Sequence, residues 1–170
     1  FNAFVSPNYP VLADVGVYLK YNKHNILKPN FKKLKVHKVL DNRVVVLKLF
    51  PGISKEAVEA ILHIPDLKVV ILETFGSGNA TMEEWFITAL KTAVESGLHI
   101  INVSQCPAGA VEQGKYDTSL MLKEIGIISG YDITTEAALT KSMFLLGQNF
   151  TSGKFRVIMN LPLRGEISVQ

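Results

Sequence analysis

Cysteine and charge are both scarce in this sequence of 170 residues. It contains a single cysteine, Cys106, and charged residues make up only 19% of the chain. One cysteine cannot form an internal disulfide, which excludes a disulfide scaffold and favours a reducing compartment. No apolar run approaches the roughly 20 residues that span a bilayer, so we expect no membrane partner. Apolar residues make up 48% of the chain, enough for a globular domain with its own core.

The common metal and phosphate motifs are missing as well. The four histidines have no i, i+4 pair and there is no Cys-x-x-Cys, so we expect no metal site. Gly76-Ser77-Gly78-Asn79 lacks the third glycine of a dinucleotide fingerprint and the Gly-Lys-Ser/Thr of a phosphate loop. Cys106 follows a strand pattern with no histidine nearby in sequence, which favours a small thiol lining a pocket over a nucleophile. These absences argue against a metal site, a dinucleotide fingerprint and a phosphate loop.

Positive charge is concentrated in one segment. Half of the lysines and arginines lie between Lys20 and Lys48, where Asp41 is the only acid, although the net charge is just +3. This segment could bind nucleic acid, but it shows no known module, and a solvated linker is the favoured interpretation. We place a boundary near residue 42, between residues 1–42, the end of a preceding domain plus a linker, and a domain over 43–170.

Downstream of that boundary, apolar strand patterns alternate with helical patterns. We predict strands over 43–50, 67–73, 98–103 and 127–128, and helices over 55–63, 81–97, 118–125, 134–146 and about 152–160. Because these strands are apolar throughout, the fold class should be α/β, a three-layer, Rossmann-like parallel sheet of about four strands with helices on both faces. Upstream, a helical turn is predicted over 11–16 and a strand over 15–21.

Ligands of such sheets bind at the carboxyl ends of the strands, so three loops should share one edge: 51–52, 74–81 and 104–114. Glycines 76 and 78 permit a positive φ and close approach of a ligand. Thr81 and Glu84 have the spacing of a capping box, and free N–H groups at the start of that helix would suit a carboxylate or phosphate. A plain tight turn is the alternative. Glu124, Glu136 and Lys141 are predicted on solvent-facing sides of helices.

Six segments, in order along the chain, resemble the cytoplasmic bacterial L-asparaginases. They cover the closing part of the amino-terminal domain and nearly all of the carboxy-terminal domain. They are Phe4-Val5-Ser6-Pro7-Asn8-Tyr9-Pro10, Leu49-Phe50-Pro51-Gly52-Ile53, Gly76-Ser77-Gly78-Asn79-Ala80, Gln105-Cys106 with Gly109 and Gly114-x-Tyr116, residues 129–141, and Leu163-Arg164-Gly165-Glu166.

The resemblance implies a two-domain amidohydrolase that converts L-asparagine to L-aspartate and ammonia without a cofactor. Its threonine nucleophile belongs to an amino-terminal Thr-Gly-Gly-Thr-like motif that this sequence lacks, so we assign no catalytic residue and expect the chain alone to be inactive. The resemblance also implies a cytoplasmic homo-oligomer, a dimer or a dimer of dimers, in which the Gly-x-Gly-Asn turn helps to close the active site of a neighbouring subunit.

Carried over to this sequence, the substrate-binding candidates are Asn79, Gly78 and Thr81. Some family members also bind asparagine at an allosteric site near the loop that matches Cys106, which makes Glu73 and Cys106 the candidates for such a pocket. Enteric members carry Arg where this chain has Glu73, and that difference removes a partner for a carboxylate.

Two rivals stay open at this point. The chain could be a stand-alone module that binds an amino acid or another small anion at residues 76–81. It could also belong to the transfer-RNA-dependent amidotransferase subunits, which share the fold. The sequence alone does not choose between asparagine and glutamine.

Overall fold

A four-stranded parallel sheet organises the chain in a computed structural model, which describes residues 6–29, 31–112 and 117–168. The strands lie in the order β3-β4-β5-β6. Their bounds are β3 Val44–Lys48, β4 Val69–Thr74, β5 His99–Ser104 and β6 Ile128–Ser129. The helices are α1 Lys55–Leu62, α2 Glu84–Glu95, α3 Asp117–Glu124, α4 Thr135–Gly147 and α5 Ser152–Met159. The fold class predicted from the sequence is confirmed.

Helices cover both faces of this sheet. Alternate residues of β4 point to opposite sides, so Val70 and Leu72 pack into one core cluster while Val69 and Ile71 pack into another. The first cluster contains side chains of α1, α2 and α3, and the second contains side chains of α4 and α5. The three layers follow from strands that are apolar on both faces.

Residues before β3 form a second, smaller sheet. β1 (Ala13–Val15) and β2 (Leu19–Tyr21) pair antiparallel around a bend in which the Gly16 N–H donates to the Tyr18 carbonyl. The helical turn predicted over 11–16 is therefore wrong, because that segment pairs as a strand. The single strand predicted over 15–21 is also wrong, because the bend divides it.

The basic segment is exposed but not detached. Between Asn22 and Asn42 the described residues form no helix or strand, in keeping with a linker. The Asp41 N–H nevertheless donates to the Met143 carbonyl at 3.0 Å, and the His37 ring lies edge-on to Phe144 with centroids 5.2 Å apart. The segment thus runs along α4. The domain boundary near residue 42 stays a prediction.

Two side-chain predictions on the helices are wrong. Thr81 does not cap α2, which begins three residues later with Glu83 at the N-cap and no side-chain cap bond. Lys141 does not face solvent: its ammonium is 2.6 Å from a Glu166 carboxylate oxygen and donates to the Leu161 carbonyl. The pairing lets the ammonium be buried, because the carboxylate offsets the cost of removing a charge from water. No helix within the described residues combines the length and apolar character that a membrane crossing needs.

Candidate functional site

The loops that follow β3, β4 and β5 meet at one edge of the sheet, as the sequence predicts. All three strands are parallel, so their carboxyl ends coincide. The Gln105 side-chain amide ties these ends together by donating to the Leu49 carbonyl at 2.6 Å and to the Glu73 carbonyl at 2.9 Å. The loop predicted over 104–114 is described only to Glu112, and Gly114 and Tyr116 lie outside the described residues.

A closed turn follows β4 at this edge. The Phe75 N–H donates to the Asn79 carbonyl at 2.9 Å, and the Phe75 carbonyl accepts from Asn79 N–H at 2.8 Å and from Gly78 N–H at 3.1 Å. Gly76 and Gly78 both have positive φ, 52° and 102°, which L side chains rarely adopt. The turn therefore uses the N–H groups of Gly78 and Asn79 internally, and neither is left to donate to a ligand.

Neighbouring loops hold the turn from outside as well. The Ser104 hydroxyl donates to the Gly76 carbonyl, Glu112 N–H donates to the Ser77 carbonyl at 3.0 Å, and the Asn102 amide donates to the Gly78 carbonyl at 3.2 Å. The carbonyls of residues 75–79 therefore all accept hydrogen bonds within the protein. A turn fixed in this way leaves its side chains, rather than its carbonyls, to meet a ligand.

The three substrate-binding candidates have different surroundings. Gly78 is buried, whereas Asn79 and Thr81 are half-buried at the edge. The Thr81 hydroxyl accepts from Glu83 N–H at 3.3 Å and is 3.4 Å from a Glu83 carboxylate oxygen. Thr81 thus shapes the loop between the turn and α2, and the amino end of α2 lies three residues beyond it. Of the three candidates, Asn79 alone combines a place within the turn with a polar side chain.

Glu73 and Cys106, the candidates for a second pocket, differ sharply in exposure. The Glu73 carboxylate accepts from the Thr135 hydroxyl at 2.6 Å and pairs with Lys48 at 3.1 Å, with 12% of its side chain exposed. Cys106 has an exposed free thiol, and its backbone N–H donates to the Ser104 hydroxyl at 3.0 Å. Since Glu73 already has two partners, an acidic ligand would meet a filled position there.

Among the described residues, no three histidine, cysteine, aspartate or glutamate side chains lie close enough together to hold a metal ion. His99 stacks on Phe155 with ring centroids 4.4 Å apart, and burial, with Arg156 nearby, lowers the pKa of His99. His63 lies at the end of α1, where its Nδ1 contacts the Glu59 carbonyl at 2.7 Å. His37, His63 and His99 thus serve separate structural contacts.

Sequence reasoning missed two polar residues behind the turn. Thr74 and Asn102 are fully buried, and the Thr74 hydroxyl donates to the Asn102 side-chain oxygen at 2.6 Å. The one available signal was an asparagine inside an otherwise apolar strand, because a buried carboxamide is costly unless it is hydrogen-bonded.

Comparison with known proteins gives one consistent family. The model of the glutaminase/asparaginase C-terminal domain matches residues 43–159. L-asparaginase 1 of Escherichia coli is 35% identical over 168 residues, which are 99% of this chain and 49% of that enzyme. The crystal structure of L-asparaginase I from Vibrio cholerae superposes with a TM-score of 0.89 at 36% identity and covers 99% of this chain and 51% of that one.

Relatives with other names cover the chain equally well. The human 60 kDa lysophospholipase is 40% identical over 99% of this chain and 29% of its own length. A glutamyl-tRNA(Gln) amidotransferase subunit of Methanobrevibacter smithii is 30% identical over 98% of this chain and 38% of its own length. The chain thus spans about half, or less than half, of these relatives.

Proposed function

Because the chain belongs to the glutaminase/asparaginase family, whose C-terminal domain matches residues 43–159, we propose that it is the carboxy-terminal part of an L-asparaginase. In this proposal the whole protein is a cytoplasmic homo-oligomer, a dimer or a dimer of dimers, that hydrolyses L-asparagine to L-aspartate and ammonia. The chain supplies substrate contacts and part of the subunit interface, while the nucleophile belongs to the other half. The chain alone is then inactive.

The observation that carries the proposal is the fixed turn with Asn79 at the carboxyl edge of the sheet. A carboxamide offers an acceptor and two donors. It can therefore accept from the α-ammonium group of an amino acid or donate to its α-carboxylate. The turn is held from both sides, so binding costs little further ordering of the protein. Asn79 makes the substrate contact, Gly78 supplies the positive φ that the turn requires, and Thr81 supports the loop.

The amide chemistry itself needs a nucleophile and a base within hydrogen-bond reach of each other. The sequence has no Thr-Gly-Gly motif, so this chain receives no catalytic role. It contributes orientation: a substrate held by its α-amino and α-carboxylate groups presents its side-chain amide to groups of the other half. Preference for asparagine over glutamine is then set mainly outside this chain.

The test is ammonia release from asparagine by the natural gene product and by the 170-residue chain alone. We expect the first to be active and the second to be inactive. In the gene product, Asn79→Ala should lower kcat/KM about 10- to 100-fold, the effect of losing a hydrogen bond to a charged group. Thr88→Ala, on the exposed side of α2, is the matched surface control. Activity of the isolated chain would contradict the proposal.

A second candidate is a component of a transfer-RNA-dependent amidotransferase, favoured by the similarity to the amidotransferase protein of Methanobrevibacter smithii. The same assay separates the two. Ammonia release from free asparagine without RNA supports the asparaginase. Release that requires a partner subunit and an aminoacylated transfer RNA supports the amidotransferase.

A further inference from the structure

A buried polar pair lies directly behind the candidate turn. Thr74 ends β4 and Asn102 lies in β5, and both are 0% exposed. The flanking residues Ile101 and Val103 are also fully buried. An unpaired carboxamide in such surroundings would destabilise the fold, because it would lose its hydrogen bonds to water without replacement. The arrangement therefore depends on Asn102 having the right partners.

Both ends of the Asn102 carboxamide are engaged. The Thr74 hydroxyl donates to its oxygen at 2.6 Å, and its NH₂ group donates to the Gly78 carbonyl at 3.2 Å. A carbonyl can only accept, so the NH₂ end must face Gly78 and the oxygen must face Thr74. The Gly78 carbonyl thereby sets the orientation of the Asn102 amide. The Thr74 hydroxyl, whose other possible acceptor is the Val103 carbonyl at 3.2 Å, secures the oxygen end.

The Gly78 carbonyl and the Asn79 N–H belong to the same planar peptide unit. Asn102 holds the carbonyl end at 3.2 Å, and the Phe75 carbonyl holds the N–H end at 2.8 Å. With both ends held, the orientation of the peptide plane that leads into Asn79 is fixed, and this sets where the Asn79 side chain starts. Space is tight around the unit: a Cβ on Gly78 would lie 2.7 Å from Val111 and 3.3 Å from the Asn102 amide nitrogen.

We propose that Asn102 is a positioning residue for substrate binding, which acts through the Gly78 carbonyl and fixes Asn79 at the edge of the sheet. Thr74 secures the oxygen end of the Asn102 amide and is the second positioning residue. The role in substrate binding rests on the proposed asparaginase function, whereas the control of the turn does not. Neither residue touches the substrate.

Hydrogen exchange of the Asn79 amide in the 170-residue chain tests the structural step. Thr74→Val keeps the side-chain shape and removes the donor to Asn102, whereas Thr74→Ser keeps the hydroxyl. We expect exchange at Asn79 to accelerate at least about tenfold in Thr74→Val and in Asn102→Leu, the loss of one buried hydrogen bond or more. Thr74→Ser should stay near the wild-type rate. Ser142→Ala, a buried hydroxyl in α4 that faces the Met159 sulfur, should leave Asn79 unchanged.

Kinetics of the natural gene product test the functional step. Thr74→Val should raise the KM for asparagine about tenfold with a smaller change in kcat, because loss of substrate contact weakens binding of ground and transition states alike. Thr74→Ser should restore the KM. An unchanged Asn79 exchange rate in Thr74→Val overturns the proposal even if Asn102→Leu fails to fold, and so does accelerated exchange with an unchanged KM.

Failure of the proposed function has a different signature. A wild-type gene product that hydrolyses no asparagine refutes the asparaginase assignment, and with it the role of Asn102 in substrate binding. The exchange rates then decide separately whether Asn102 and Thr74 control the turn.

Discussion

Glycine 78 is the residue whose replacement the turn tolerates least. Its φ is +102°, and an added Cβ would meet Val111 at 2.7 Å. We expect Gly78→Ala to lower the free energy of unfolding by about 2 kcal/mol or more, through backbone strain and overpacking together. Urea denaturation of the 170-residue chain measures this loss.

Gly76→Ala is the matched control for that substitution. Gly76 also has a positive φ, +52°, but nothing lies within 4 Å of an added Cβ. The expected loss is about 1 kcal/mol, from the left-handed conformation alone. Equal losses at the two positions would mean that contact with Val111 does not matter.

The Lys141–Glu166 pair makes the stability of the fold depend on pH in the acidic range. Burial alone would raise the pKa of Glu166, but the Lys141 ammonium and the N–H groups of Leu163 and Arg164 outweigh it and lower the pKa to about 2, from 4.5. Because the folded carboxyl has the lower pKa, the ionised Glu166 contributes its full stabilisation above pH 4.5. This contribution is lost as the pH falls from 4.5 towards 2. Glu166→Gln should remove this part of the acid sensitivity, as measured by urea midpoints across that range.

At neutral pH the same variant leaves a buried ammonium without its carboxylate. We expect Glu166→Gln to cost about 3 kcal/mol or more, as broken buried pairs do. Lys141→Met with Glu166→Gln is the matched double variant, and it should recover most of the loss. A double variant as unstable as the single one would contradict this account.

Residue patterns predicted the turn but not its supports. The glycines and Asn79 stand out because few other residues suit a tight turn. Asn102 and Lys141 do not stand out, since their surroundings depend on which elements pack together. Lys141 is buried because Glu166, 25 positions later in the chain, packs against α4 and pairs with this lysine. A contact between residues so far apart in sequence leaves no local pattern that could predict it.

At the scale of elements, caps explain where the helices begin. The Thr134 hydroxyl accepts from Ala137 N–H and caps α4, whereas Thr81 caps nothing. We expect Thr134→Ala to cost about 1 kcal/mol. Thr81→Ala should cost less than half of that while it lowers substrate affinity. Thermal unfolding of both variants makes the comparison, and equal costs would show that Thr81 supports a helix after all.

The packing of α5 on β5 carries a second pH dependence. His99 of β5 stacks on Phe155 of α5, and burial, together with the nearby Arg156 cation, lowers the pKa of His99 below 6.5. The unfolded histidine gains its proton more readily than the folded one, so stability is complete above pH 6.5 and falls as the pH drops below it. His99→Phe should keep the stacking and flatten this slope between pH 6.5 and 5. An unchanged slope would assign the dependence to other groups.

Element types were easier to predict than element ends. Three of the four parallel strands were found because apolar, β-branched runs of five or six residues leave few alternatives. The hairpin of β1 and β2 was missed because its strands have three residues each and are largely exposed, so no alternation marks them. The start of α2 was misplaced because Thr81 and Glu84 have capping spacing without the capping geometry.

At the scale of the whole molecule, the chain has two parts. Residues beyond 42 form the packed body, and residues 11–40 form a segment with many exposed apolar side chains, here called the apolar strip. Large apolar side chains of residues 11–40 are widely exposed, Val17 at 90%, Phe31 at 95% and Leu34 at 85% among them. Beyond residue 42, the buried apolar residues form two clusters. Exposed apolar side chains that are concentrated in one segment are typical of an interaction site. In the proposed enzyme, the other half and the neighbouring subunit cover it.

We therefore expect the isolated chain to self-associate and to bind a hydrophobic dye through this strip. Replacing Val17, Phe31 and Leu34 together with serine should reduce dye fluorescence several-fold and shift sedimentation towards the monomer. The melting temperature should change little, because these side chains lack core contacts. Val157→Ser, an exposed apolar residue on α5 at 63%, is the matched control and should alter neither property. If the triple variant still associates like the wild type, the surface responsible for self-association must lie on the packed body. The apolar strip would then be a solvated linker, and the proposal that the other half and the neighbouring subunit cover it would be wrong.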